Sequence, residues 1–89
     1  MPRAHISCDI FCRVVDNFGD IGVAWRLARQ LACEHGLTVR LFVDDLNSFN
    51  RIEPSINTLR PRQSVQNVTV MYWDQALAAA PADLVIESF

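Results

Sequence analysis

Between Val14 and Gly22 the hydrophobic period of the chain changes, and that change restricts the fold more than any other feature. Before it, Ile6, Cys8, Ile10, Cys12 and Val14 alternate with Ser7, Asp9, Phe11, Arg13 and Val15. This is the two-residue period of a strand, with apolar residues on both faces toward its end, as in a strand covered on both sides. After it, Ala24, Leu27, Ala28, Leu31 and Ala32 recur at threes and fours, while Arg26, Arg29, Gln30 and Glu34 take the opposite side. That is the stripe of a helix lying on a sheet. The link between them, Val14-Val15-Asp16-Asn17-Phe18-Gly19-Asp20-Ile21-Gly22, places two carboxylates four residues apart with a glycine between them. A strand feeding a helix through such a turn opens a βαβ unit.

The rest of the chain repeats the alternation. Asp20 is predicted to cap the first helix by accepting an amide bond in its first turn, and Gly36 to end it in a left-handed conformation. Residues 38–43 are β-branched and apolar, a second strand closed by Asp44 and Asp45. Residues 46–52 suit a short helix. Residues 53–67, with Pro54 and Pro61, are the least structured stretch. Val68, Val70 and Tyr72 mark a third strand, residues 73–80 a short helix before Pro81, and residues 84–86 a fourth strand leading to Glu87. The order β-α-β-(α)-β-α-β predicts an α/β fold: a Rossmann-like, doubly wound parallel sheet. Ligands of such sheets bind beyond the carboxyl ends of the strands. Asp16, Asp20, Asp44, Asp45 and Glu87 are all expected along that rim.

Composition sets outer limits. With 89 residues, 51% hydrophobic and 20% charged, the chain is globular and forms one domain at most. A net charge of -2 argues against a nucleic-acid partner, which requires a basic patch. No apolar run is long enough to span a bilayer, and no signal-peptide core follows Met1 to His5; a cytoplasmic location is expected. The three cysteines agree with a reducing compartment. Cys8 and Cys12 on one strand would stand about 13 Å apart, too far for a disulfide or a shared metal. His5 and His35 add no ligand spacing, so buried structural thiols are expected and no metal site. The final strand lacks a closing helix, which reads as the N-terminal, incomplete part of a longer protein.

Three chemistries are open to the turn. Dinucleotide binding has Asp44 at a ribose-binding distance along the sequence, but Gly19 and Gly22 give G-x-x-G rather than G-x-G-x-x-G. Asp20 would also face the pyrophosphate with a negative charge. A magnesium site built from Asp16, Asp44, Asp45 and Glu87 has suitable oxygen ligands, yet its order differs from that of response regulators. The third is acid–base work on a cation. Two carboxylates can grip a guanidinium through charge-assisted hydrogen bonds, and one can accept its proton; a group with pKa above 12 reacts only with such help. Against all three stands the simpler possibility that Asp20 is only a cap and Asp16 only a turn former. A domain that binds a basic protein surface through its acidic rim, without catalysis, is a further alternative.

What favours the third reading is a resemblance, not the pattern. The string from Asp9 to Leu31, with Asp-Asn-Phe-Gly-Asp-Ile-Gly followed by Trp-Arg-Leu-Ala-Arg, resembles the N-terminal signature of the bacterial protein-arginine rhamnosyltransferases that modify elongation factor P. The likeness continues through Glu34-His35-Gly36, residues 39–46, Trp73 and residues 82–89. It departs at Ala24, where the family often has cysteine, and at Phe42, where tryptophan is common; both are packing positions. The resemblance implies an inverting glycosyltransferase of GT-B architecture. Residues 1–89 would belong to its N-terminal, acceptor-side domain, and the C-terminal, donor-binding domain would be absent. It implies dTDP-β-L-rhamnose as donor, elongation factor P as partner and acceptor, an effect on translation of polyproline stretches, and no cofactor. By matching the motif, Asp20 would be the general base and Asp16 would orient the guanidinium. Asn17, Phe18 and Gly19 would shape the substrate-binding floor of the cleft. These 89 residues alone are expected to be inactive.

Overall fold

The computed structural model describes residues 6–13, 18–74 and 82–88, with backbone alone for 18–20 and 88. Its elements are β1 (Ser7–Cys12), α1 (Phe18–Glu34), β2 (Thr38–Val43), α2 (Leu46–Ile52), β3 (Arg62–Val65), β4 (Val68–Tyr72) and β5 (Leu84–Ser88). One sheet runs in the order β3-β4-β2-β1-β5. β4, β2, β1 and β5 are parallel to their neighbours, and β3 is antiparallel to β4. The parallel strands thus lie third-second-first-fourth along the chain. Strand order reverses between β1 and β5, the place where sheets of this class bind ligands.

The two-residue period of the strands sorts side chains onto two faces. Cys8, Ile10 and Cys12 align with Val39, Leu41 and Val43, and these with Val68 and Val70. All of these are buried and form one core with Ile21, Ala24, Trp25 and Ala28 of α1 and Leu46 and Phe49 of α2. Trp25 meets Phe49 edge-on at 5.1 Å, tying the two helices together. The other face is built differently. Asp9 accepts two hydrogen bonds from Arg40, Nε to Oδ1 at 2.6 Å and Nη2 to Oδ2 at 2.7 Å. Phe11 stacks on Phe42 at 4.7 Å, and Trp73 closes on Phe11 edge-on at 6.4 Å. The Trp73 indole donates to the Phe42 carbonyl at 3.0 Å.

Helix α1 ends as its sequence predicts. Gly36 takes φ +67°, and beyond it the Leu37 amide donates to the Leu31 carbonyl at 3.1 Å, satisfying one of the open carbonyls of the last turn.

Several expectations are corrected. The sheet is mixed, because residues 62–65 form a strand inside the stretch expected to be least structured. Gln66 and Asn67 both adopt positive φ, 50° and 67°, which is the two-residue turn that suits a tight hairpin. β3 is polar and lies at the sheet edge, so it lacks the apolar alternation that marks a half-buried strand. The helix expected at residues 73–80 falls mostly outside the described residues. Leu84 and Val85 of β5 are about half exposed. Cys8 and Cys12 are buried thiols outside any disulfide, as expected, but Cys33 of α1 is exposed.

Candidate active site

β1 delivers the chain to the rim at Arg13, and α1 leaves it from Phe18. The register pairs Cys12 with Val43 and Val43 with Tyr72, so β1, β2 and β4 end level with one another. Arg13, Asp44 and Trp73 therefore leave the sheet side by side. The Arg13 guanidinium lies over the Trp73 ring, 5.6 Å from its centroid. That contact fixes the exit of β1 against the exit of β4, at a cation–π distance that contributes most where water is excluded. Arg13 and Trp73 were not singled out for the site in the sequence. The signal was there in a cationic residue directly before the turn and an aromatic one directly after β4.

Of the five site residues expected from sequence, Asp16 and Asn17 lie outside the described residues. Phe18, Gly19 and Asp20 form the first three residues of α1. Asp20 is therefore not the cap: the helix begins at Phe18, three residues earlier than a cap at Asp20 predicts, because its first turn carries Phe18-Gly19-Asp20 rather than core residues. The first four amides of a helix have no partner within it, and the aligned peptide dipoles make that end positive.

The acids after β2 are placed differently. Asp45 is the N-cap of α2, in extended conformation at φ -149°. Its Oδ1 accepts from the Asn47 and Ser48 amides at 3.0 and 3.3 Å, and its Oδ2 from the Ser48 hydroxyl at 2.7 Å. The Ser48 hydroxyl, then the Ser48 and Asn47 amides and the charge of Arg51, hold its carboxyl below the ordinary value against a small opposing effect of burial. Asp44 borders a groove of about 320 Å³ with Asn47, Thr58, Leu59, Pro61 and Tyr72. Glu87 lies within β5, paired in register with Phe11, one residue before the strand ends rather than beyond it. The rim of five acids is thus reduced. Asp45 caps a helix, Glu87 belongs to a strand and Asp20 lies inside the first turn of α1, so among the described residues Asp44 is the one of these acids that directly follows a strand.

The buried thiol of Cys8 is pushed above its ordinary pKa, chiefly by burial and further by the charge of Asp9. It is a packing residue and not a nucleophile, since the thiolate is the reactive form. Among the described residues, no three His, Cys, Asp or Glu side chains are grouped to hold a metal ion, and no helix is long and apolar enough to cross a membrane.

Residues 8–89 match the family described as Elongation-Factor P (EF-P) rhamnosyltransferase EarP. The chain belongs to that family. Relatives of this EarP-family chain carry the name protein-arginine rhamnosyltransferase. The one from Pseudomonas putida is 57% identical over 82 residues, covering 91% of this chain and 22% of its own length. That from Pseudomonas aeruginosa is 55% identical over 84 residues, covering 93% and 22%. That from Shewanella oneidensis is 48% identical over 83 residues, covering 91% and 21%. The chain spans about a fifth of the length of these relatives. The EarP match takes in β1 from Cys8 onward, the residues that link it to α1, α1 itself and everything from β2 through β5.

Proposed function

We propose that the protein to which these residues belong is an inverting glycosyltransferase that moves L-rhamnose from dTDP-β-L-rhamnose to an arginine of elongation factor P. The observation that carries this reading is the match of residues 8–89 to the EarP family. The names of the relatives, protein-arginine rhamnosyltransferase, agree with it. The mixed α/β sheet, with its strand order reversing next to β1, is compatible with a Rossmann-like domain. In the full enzyme this would be the N-terminal, acceptor-side half of a GT-B pair working in the cytoplasm, with no metal or cofactor. The donor site would lie largely in the other half, and residues 1–89 alone would not turn over.

Asp20 takes the role of general base and Asp16 that of orienting the guanidinium; Asn17, Phe18 and Gly19 line the substrate floor. The chemistry asks for both acids. One carboxylate accepts the proton from a guanidine nitrogen as that nitrogen attacks the anomeric carbon of the sugar. The C–O bond to dTDP breaks on the opposite face, giving inversion. The second carboxylate holds the group and balances its remaining charge.

The test is direct. Full-length enzyme, elongation factor P and dTDP-β-L-rhamnose are incubated together, and the acceptor is analysed by mass spectrometry. One deoxyhexose on a single arginine is expected. An unmodified acceptor, or sugar on another residue type, would overturn the assignment.

A further inference from the structure

The groove lies at the carboxyl ends of β2 and β4, the rim of the sheet on which β1 also ends. Neighbouring strands stand about 4.8 Å apart. With their ends level, the exit of β4 lies about 10 Å from that of β1, within the span of a short peptide segment. The groove measures about 320 Å³. Two of its lining side chains are large, apolar in character and left in water: Leu59 is 89% exposed and Tyr72 40%.

A single exposed leucine needs no explanation. This one is held out by a loop built to be stiff. Buried Gln63 pins residues 57–60 from below: its Oε1 accepts from the Asn57 amide at 2.8 Å, and its Nε2 donates to the Asn57 and Arg60 carbonyls at 2.8 and 3.0 Å. The Leu59 amide donates back to Asn57 Oδ1 at 2.9 Å, and the Tyr72 amide donates to the Pro61 carbonyl at 2.8 Å. The loop's polar groups are thus satisfied internally while its leucine is not covered. A surface already ordered in this way loses little entropy when a partner arrives.

We propose that this groove docks the acceptor protein. It would receive the segment flanking the target arginine, with an apolar side chain of the partner against Leu59 and Tyr72 and a basic one toward Asp44. The proposal rests on the function proposed above. Charge complementarity and continuity with the catalytic rim favour this occupant over the sugar nucleotide. The two phosphates of a nucleotide sugar would meet Asp44, and no lysine or arginine lines the groove.

The experiment uses full-length enzyme with elongation factor P as probe, comparing the parental protein with Leu59→Ser/Tyr72→Ala. The KM for the acceptor is expected to rise about tenfold, the scale of one interface contact region lost, with kcat and the KM for dTDP-β-L-rhamnose unchanged. Asp44→Asn should slow association and flatten its salt dependence. Leu59→Ser alone, at a position almost fully in water, guards against disturbance of β4 and should raise the acceptor KM about threefold. An acceptor KM equal to the parental value, or a change confined to the donor KM, overturns the groove assignment. A parental enzyme that modifies no acceptor overturns the proposed function and this inference together; an active parent with unaffected variants overturns the groove alone.

Discussion

Two strands of the sheet end in the same way and are used differently. β1 and β2 lie side by side, finish level, and each is followed along the chain by aspartates and a helix. After β2, Asp45 stands at the cap, and its two oxygens are taken up by two amides and a hydroxyl. After β1, the helix starts at Phe18, so Asp20 enters at the third helical position. An acid at the cap serves to satisfy the backbone. An acid one turn-step further in gains the favourable field of the helix end without being the cap. The same residue type, after two neighbouring strands of one sheet, thus stands at the cap of one helix and inside the first turn of the other.

That contrast can be broken by experiment. The largest effect is expected in the full-length enzyme for Asp20→Asn. Transfer should fall by at least about a hundredfold, the usual contribution of a positioned base, with the unfolding midpoint and donor affinity close to parental. Rates and thermal melts of the same preparation check both halves of this statement.

Asp9→Ala probes an acid that serves neither junction. It leaves the largely buried Arg40 guanidinium without its two bonds on the aromatic face of the sheet. Loss of about 3 kcal/mol is expected, at the lower end for a broken buried pair because Arg40 retains some contact with water. Urea denaturation of the chain measures it.

Asp45→Ala should cost about 1 kcal/mol, as for other removed caps, read from the same urea titrations, while transfer by the full-length enzyme is retained. A loss of activity comparable to that of Asp20→Asn would erase the distinction between the two turns.

The smallest effect is one of pH. The Asp45 carboxyl is held below its ordinary value in the folded chain. Between that ordinary value, about 4, and the lowered one, the unfolded chain binds the proton and the folded chain does not. The contribution of the cap is therefore complete above about pH 4 and is lost as pH falls through the folded value. Stability measured between pH 6 and pH 2.5 should decline less steeply in Asp45→Ala than in the parental chain.

Much of this architecture is legible in the sequence, because the apolar period reports burial. β1, α1, β2, α2 and β4 fall close to where periodicity puts them, and Gly36 ends α1 in the left-handed conformation that only glycine takes easily. β3 is not legible for the same reason. Arg62, Gln63, Ser64 and Val65 are held by the ladder to β4 and by the turn at Gln66-Asn67, not by burial of an alternating face. Asp45 as a cap could be read from its place before Leu46. Asp20 could not be separated from a cap by pattern, since the residues that begin α1, Phe18 and Gly19, carry no helical signal of their own. Gln63 shows the same limit in three dimensions: its polar side chain orders the loop that bears Leu59, through bonds that no spacing rule encodes.

The most direct measurement is a side-by-side assay of full-length parental enzyme, Asp20→Asn and Asp45→Ala, following deoxyhexose addition to elongation factor P by mass spectrometry. The account predicts an acceptor fully modified by the parental and Asp45→Ala enzymes and unmodified, over the same interval, by Asp20→Asn. Modification by Asp20→Asn at the parental rate would contradict it.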